Sequence, residues 1–124
     1  LEFRRVLFRS LVGKVSDRFL DALYASCSLF AYPSLYEGFG LPVLEAMAAG
    51  APVITSDRSS LPEVGGDAVV LVDPTDTSEI GAAIERLLAN EPERAALSAR
   101  AMRRAARFTW EEFAQNVLNA ALRP

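Results

Sequence analysis

Two rhythms of apolar and polar positions run along the chain, and the switches between them mark the expected elements. Short unbroken apolar runs at 28–32, 52–55 and 68–72 read as buried parallel strands, the first closed by Pro33 and the last by Asp73-Pro74. Helical spacing fills the intervals. Ser16 or Asp17 caps a helix running to about Ser26, with Phe19, Leu20, Leu23 and Tyr24 on one buried face. Residues 41–49 are so uniformly apolar that this helix is expected to be buried on most faces, and Gly50 ends it. A polar loop over 56–62 leads to a brief turn before the third strand.

The last third reads as helical scaffold. Asp76 with Glu79 forms a capping-box pair ahead of a stripe of Ile80, Ala83, Ile84, Leu87 and Leu88. A second helix over about 92–107 carries Leu97, Ala101 and Ala105, with Phe108 nearby. Thr109 and Glu112 cap a third, whose expected buried face is Trp110, Phe113, Ala114, Val117, Leu118 and Leu122. Strands alternating with helices predict an α/β fold with a parallel sheet, which binds ligands at the carboxyl ends of its strands. The loop 33–40 lies there.

That loop leads into residues 36–50, YEGFGLPVLEAMAAG, on which the functional reading turns. Gly38 and Gly40 let the backbone pass close to a ligand, and Pro42 suits a first helical turn. A bare helix N-terminus offers unpaired N–H groups and a positive dipole end, which suit a phosphate. Glu45 is the one charge inside the apolar helix, and an unpaired buried carboxylate is costly enough to need a reason. The stretch reads as gripping an anionic, hydroxyl-rich ligand. The competing reading of Glu45 is a buried ion pair with an arginine.

The run Glu37-Gly38-Phe39-Gly40-Leu41-Pro42-Val43-Leu44-Glu45-Ala46 resembles the E-x7-E motif of retaining glycosyltransferases of family 4, which have the GT-B architecture. Val15-Ser16-Asp17, Ala31-Tyr32-Pro33-Ser34, Gly50-Ala51-Pro52-Val53, Leu61-Pro62-Glu63-Val64, Gly66-Asp67-Ala68 and Leu71-Val72-Asp73-Pro74 resemble the same family in order. The resemblance covers roughly residues 11–122. It implies a Rossmann-like, partial C-terminal nucleotide-sugar-binding domain over 11–124, the acceptor-binding N-terminal domain lying outside this chain. It also implies metal-independent transfer of a hexose from a UDP-, GDP- or ADP-sugar, that donor being a substrate and no cofactor being needed. RSS followed by LPEV tilts the donor towards GDP-mannose.

In residue terms the resemblance gives Glu37 the catalytic position, touching donor-sugar hydroxyls near the reacting carbon. Gly38, Phe39, Gly40 and Leu41 turn backbone N–H groups to the β-phosphate and sugar. Glu45 accepts from the two ribose hydroxyls, a vicinal diol that matches the two oxygens of a carboxylate. Lys14, Val15 and Asp17 resemble the edge that reads the base, although Asp17 equally suits the N-cap. Arg58-Ser59-Ser60 reads as a solvated loop. The family's arginine and lysine that neutralise the diphosphate are not among these residues, so the chain is expected to be inactive alone. A non-catalytic nucleotide- or sugar-binding module is the alternative, followed by a plain α/β interaction domain.

Composition narrows the choice further. The chain has 124 residues, a net charge of −3, one cysteine and no histidine. That acidity argues against general nucleic-acid binding, and the missing histidine excludes histidine-based catalysis and most zinc sites. Cys27 reads as a small core residue. No DxD-type carboxylate pair is present, and no metal site is expected. No apolar run reaches the roughly 20 residues that span a bilayer, so a cytoplasmic location is expected. Arg100, Arg103, Arg104 and Arg107 line one side of a helix, which reads as solvated and leaves peripheral membrane association of the intact enzyme open. Residues 1–10, LEFRRVLFRS, match nothing in the family pattern and read as a cloning or assembly scar, the alternative being a genuine strand.

Overall fold

The computed structural model describes residues 10–122, the side chains of Phe113, Asn116 and Val117 excepted. The expectations for residues 1–9, Phe113 and Val117 lie outside that range. Three short strands, β1 (Phe30–Tyr32), β2 (Val53–Ser56) and β3 (Val70–Val72), form a parallel sheet in that order. Ala31 pairs with Ile54, and Thr55 with Leu71. All three strands point the same way, so the loops that follow them gather at one edge.

Helices cover both faces of β2, whose four residues are all buried. Val53 joins a cluster with Tyr24, Val43, Ala46, Met47, Leu61 and Val64, supplied by α1 (Asp17–Ser26), α2 (Leu41–Ala48) and α3 (Leu61–Gly65). Ile54 faces the other way, into Val72, Ala83, Leu87 and Leu97. These come from β3, α4 (Thr77–Ala89) and α5 (Glu91–Ala105). α5 serves both clusters, since Ala101 and Ala105 pack into the first. A final helix, α6 (Trp110–Ala121), completes the described chain. Among the described residues no helix is long and apolar enough to cross a membrane.

Local chemistry explains most boundaries. Ser16, rather than Asp17, caps α1, its hydroxyl accepting from the Phe19 N–H. Gly50, at φ +83°, ends α2: its N–H meets the Met47 carbonyl while Ala51 N–H reaches back to Ala46. That pair of bonds is a Schellman closure, which needs a left-handed residue. Asp76 accepts from the Ser78 and Glu79 N–H groups at the start of α4. The Glu79 carboxylate, however, takes the Asp73 N–H instead of completing the reciprocal bond to Asp76.

Several expected burials did not hold. Phe19 and Leu23 on α1 and Leu88 on α4 stay exposed, because no described element covers those faces. β1 is shorter than 28–32 and Ala31 is exposed, since this strand pairs on one side only. Cys27 is half-buried against the first cluster. On α6, Trp110, Ala114, Leu118 and Leu122 of the expected core face are exposed, Trp110 at 83% and Leu122 at 79%.

Candidate functional site

Each strand delivers one loop to the carboxyl edge of the sheet, and polar side chains stitch the three loops together. The loop after β1 carries Ser34 and Glu37, that after β2 carries Arg58, Ser59 and Ser60, and that after β3 begins at Asp73. The Ser59 hydroxyl accepts from the Glu37 N–H at 3.2 Å and donates to the Glu37 carbonyl. Ser60 donates to the carbonyls of Glu37 and Phe39, the latter at 2.9 Å. Arg58 spans to the third loop with both Asp73 oxygens at 2.8 Å. The Thr75 hydroxyl and N–H, with Arg58 behind them, hold Asp73 below the usual carboxylate range.

Arg58, Ser59 and Ser60 are therefore not a free solvated loop. Arg58 and Ser59 are exposed, yet Ser59 and Ser60 fix the backbone of the glycine segment, Ser59 taking a left-handed conformation at φ +60° to do so. Serine is the one weak signal of this in the sequence, because its short hydroxyl bonds readily to nearby backbone.

Glu37 is half-buried and held at two points. The Tyr32 hydroxyl donates to Oε1 at 2.6 Å, and Ser34 donates to the same oxygen at 2.9 Å. Hydrogen bonds to the charged form favour it, so Tyr32 first and Ser34 second hold the Glu37 carboxyl below its ordinary range. The same bond pushes the Tyr32 phenol up. Both bonds go to Oε1.

Glu45 corrects the expectation of a buried acid. It is exposed, and its one hydrogen bond among the described residues comes from Tyr24 at 3.4 Å. Helical geometry is the reason. Val43, Ala46 and Met47 share the buried side of α2, and Glu45 stands about 200° around the axis from Val43, with exposed Leu41 and Ala48. No arginine pairs with it among the described residues, so the ion-pair reading falls. Tyr24 and Tyr32, which touch the two acids, are joined through Phe30 by an edge contact at 5.1 Å and a stack at 5.9 Å. Neither tyrosine was read from the sequence as a partner of an acid, since these contacts arise only in the fold.

Between the acids, Gly40 starts α2 at φ +97° with no side chain capping the helix. The N–H groups of Gly38, Phe39, Gly40 and Leu41 meet no acceptor among the described residues. Val43 and Leu44 both bond to the Gly40 carbonyl, and Pro42 has no N–H to satisfy. The segment thus presents unpaired donors at the positive end of a helix dipole, with an ionised carboxylate beside them. Gly38 is in open space. Lys14 is exposed and Val15 half-buried in the turn before α1, Asp17 is the exposed first residue of that helix, and none of the three bonds to the acids. Among the described residues no three acidic or cysteine side chains converge to hold a metal.

The ionisation of Glu37 offers a direct check. A carboxyl whose folded pKa is depressed contributes stability above its ordinary pKa and loses it as pH falls through the folded value. Tyr32→Phe removes the first cause of that depression. The protonation midpoint of Glu37, followed through its carboxyl-carbon NMR shift, should move up; an unmoved midpoint would mean that the Tyr32 bond does not set it.

A three-stranded parallel sheet with helices on both faces, and an uncapped glycine-broken helix start at its carboxyl edge, make a Rossmann-like α/β domain. The profile of the family described as glycosyl transferases group 1 matches residues 10–104. The chain belongs to that family. It is 46% identical over 109 residues to the O-antigen chain mannosyltransferase B of Escherichia coli, covering 88% of this chain and 29% of that protein. Among solved structures it matches a sucrose-phosphate synthase from Thermosynechococcus elongatus with a TM-score of 0.78 at 32% identity, covering 89% of this chain and 28% of the other. HepE of Anabaena, solved with UDP and glucose, matches with a TM-score of 0.74 at 24% identity, over 82% of this chain and 29% of the other. That last likeness is one of fold. The chain thus spans under a third of the length of each.

Proposed function

We propose that the protein carrying this chain is a retaining, metal-independent glycosyltransferase that takes a hexose from a nucleotide-diphosphate sugar, and that this chain forms part of the donor site. The observation that carries the reading is the pairing of Glu37, fixed and ionised, with the row of unpaired N–H groups of Gly38, Phe39, Gly40 and Leu41 beside it. The donors take the β-phosphate and stabilise charge on it as the leaving group departs. Glu37 lies where positive character grows on the sugar and stabilises it without forming a bond. The departing phosphate takes the acceptor's proton, which keeps the reaction on one face of the sugar.

Glu45, one turn further into α2 and open to solvent, accepts from the ribose 2′- and 3′-hydroxyls. Its exposure favours this role, because a ligand reaches it without the protein moving. Lys14, Val15 and Asp17 form the edge that meets the base. The mannosyltransferase relative supports mannose as the sugar, from GDP-mannose, with UDP- and ADP-sugars as the comparison donors. The acceptor and the cations that neutralise the diphosphate are supplied elsewhere in the whole protein, in keeping with the share of its relatives that this chain spans. The chain alone is expected to turn over no donor.

Calorimetry of GDP-mannose, UDP-glucose and ADP-glucose against the intact protein tests the proposal through Glu45→Gln. Hydrogen bonds to a charged acceptor are worth about 1.5–3 kcal/mol each, so the variant should bind its donor roughly ten- to a hundredfold more weakly. Unchanged affinity would remove Glu45 from the site.

A further inference from the structure

Two exposed aromatic side chains, far apart in sequence, meet at the rim of the glycine segment. Phe108 lies in the turn between α5 and α6, its N–H bonded to the Ala105 carbonyl at 3.0 Å. Its ring meets that of Phe39 edge-on, with centroids 6.0 Å apart and planes at 81°. Phe39 is 43% and Phe108 38% exposed, so neither is filling the core. Yet the Phe39 carbonyl is the group that Ser60 holds, and its N–H is one of the unpaired donors.

Arg104 fixes the other side of Phe108. Its Nε donates to the Val64 carbonyl at 2.7 Å, and a terminal nitrogen donates to the Glu63 carbonyl. These bonds tie α5 to the end of α3, whose start carries Ser60. Gly66 makes room for the guanidinium: a Cβ there would stand 2.5 Å from its central carbon. So anchored, Arg104 places its charge 6.0 Å from the centre of the Phe108 ring, within cation–π range. The expected solvated arginine face of α5 is in this respect a built contact. The glycine segment is gripped twice at one residue, through its backbone by Ser60 and through its side chain by Phe108.

We infer that Phe108, braced by Arg104, is a positioning residue that holds the unpaired N–H groups of residues 38–41 in register for the donor through the ring of Phe39. This rests on the donor-site reading above. The ring of Phe39 needs a partner, since a segment containing two glycines has little stiffness of its own. Phe108 reaches no group that the donor is proposed to touch, so its effect passes through Phe39 alone.

A double-mutant cycle in the intact protein tests this, with Phe39→Ala, Phe108→Ala and the pair together. An edge-to-face contact of this kind converts to about a two- to tenfold change in an equilibrium constant. Phe108→Ala should raise the donor KM by about that factor and leave the acceptor KM alone, Phe108→Tyr should restore it, and the double variant should do no more than Phe39→Ala. Additive effects, or a lowered unfolding midpoint with an unchanged donor KM, would overturn the inference. Hydrogen exchange over 37–44 gives a readout that needs no donor, because it follows the Glu37, Val43 and Leu44 N–H bonds. Faster exchange there in Phe108→Ala, in a protein that binds no sugar nucleotide, would retain the positioning contact and reject the donor site; unchanged exchange would reject the contact itself.

Discussion

Gly40→Val is expected to abolish donor binding while the rest of the domain stays folded. Two independent obstacles act at this position. Gly40 sits at φ +97°, a conformation that side chains rarely adopt and that costs of the order of 1–3 kcal/mol. A Cβ added there would also stand 2.5 Å from Leu61 Cδ2. Leu61 is fully buried in the first core cluster and has no room to swing aside. The backbone must therefore move, and with it the N–H groups of Phe39, Gly40 and Leu41. Gly38 provides the control, having no positive φ and nothing within 4 Å of an added Cβ. Calorimetry should find Gly38→Ala near the parent affinity, Phe39→Leu weaker by no more than about the two- to tenfold that its ring contact carries, and Gly40→Val without measurable binding. Equal affinities for Gly38→Ala and Gly40→Val would sink the idea that these donors hold the phosphate.

Glu37→Gln should leave the donor bound and cripple the chemistry. The amide retains the shape and can still accept from Tyr32 through its oxygen, so the loop keeps its geometry. What is lost is a negative charge that Tyr32 and Ser34 keep ionised beside the sugar. Removing one preorganised electrostatic partner of a transition state costs on the order of 10²–10³ in rate. Steady-state kinetics of the intact protein should therefore show kcat down by about that factor with the donor KM changed far less. A kcat within a few-fold of the parent would assign Glu37 to holding the loop alone. A loss confined to KM would make it a binding group.

These two residues also show how far the sequence could be read. The placement of Gly40 and Glu37 was legible because it is local: a glycine-broken entry to a proline-started helix sits directly after a strand, whatever surrounds it. The bonds of the serines in the exposed 58–60 loop were missed, because their partners at Glu37 and Phe39 lie 21 to 23 positions back in the chain. Phe108 was grouped with the apolar face of the helix before it for the same reason, its partner Phe39 lying far back in the chain. Glu45 was misread through composition. A strongly apolar helix was taken as buried all round, although Val43, Ala46 and Met47 alone face the core.

The sequence by itself determined the α/β order of elements, the caps at Asp76 and Thr109, the close of α2 at Gly50 and the likeness to a family. Each of these rests on residues within a few positions of one another, where backbone geometry and side-chain reach leave few options. Only the tertiary structure decided that Glu45 faces solvent, that Ser59 and Ser60 hold the glycine segment, and that Tyr24 and Tyr32 reach the two acids. Those outcomes depend on which strand lies beside which and which helix face is covered. Periodicity fixes the direction of an apolar face along a helix, but the surface that meets it is built by residues distant in the chain.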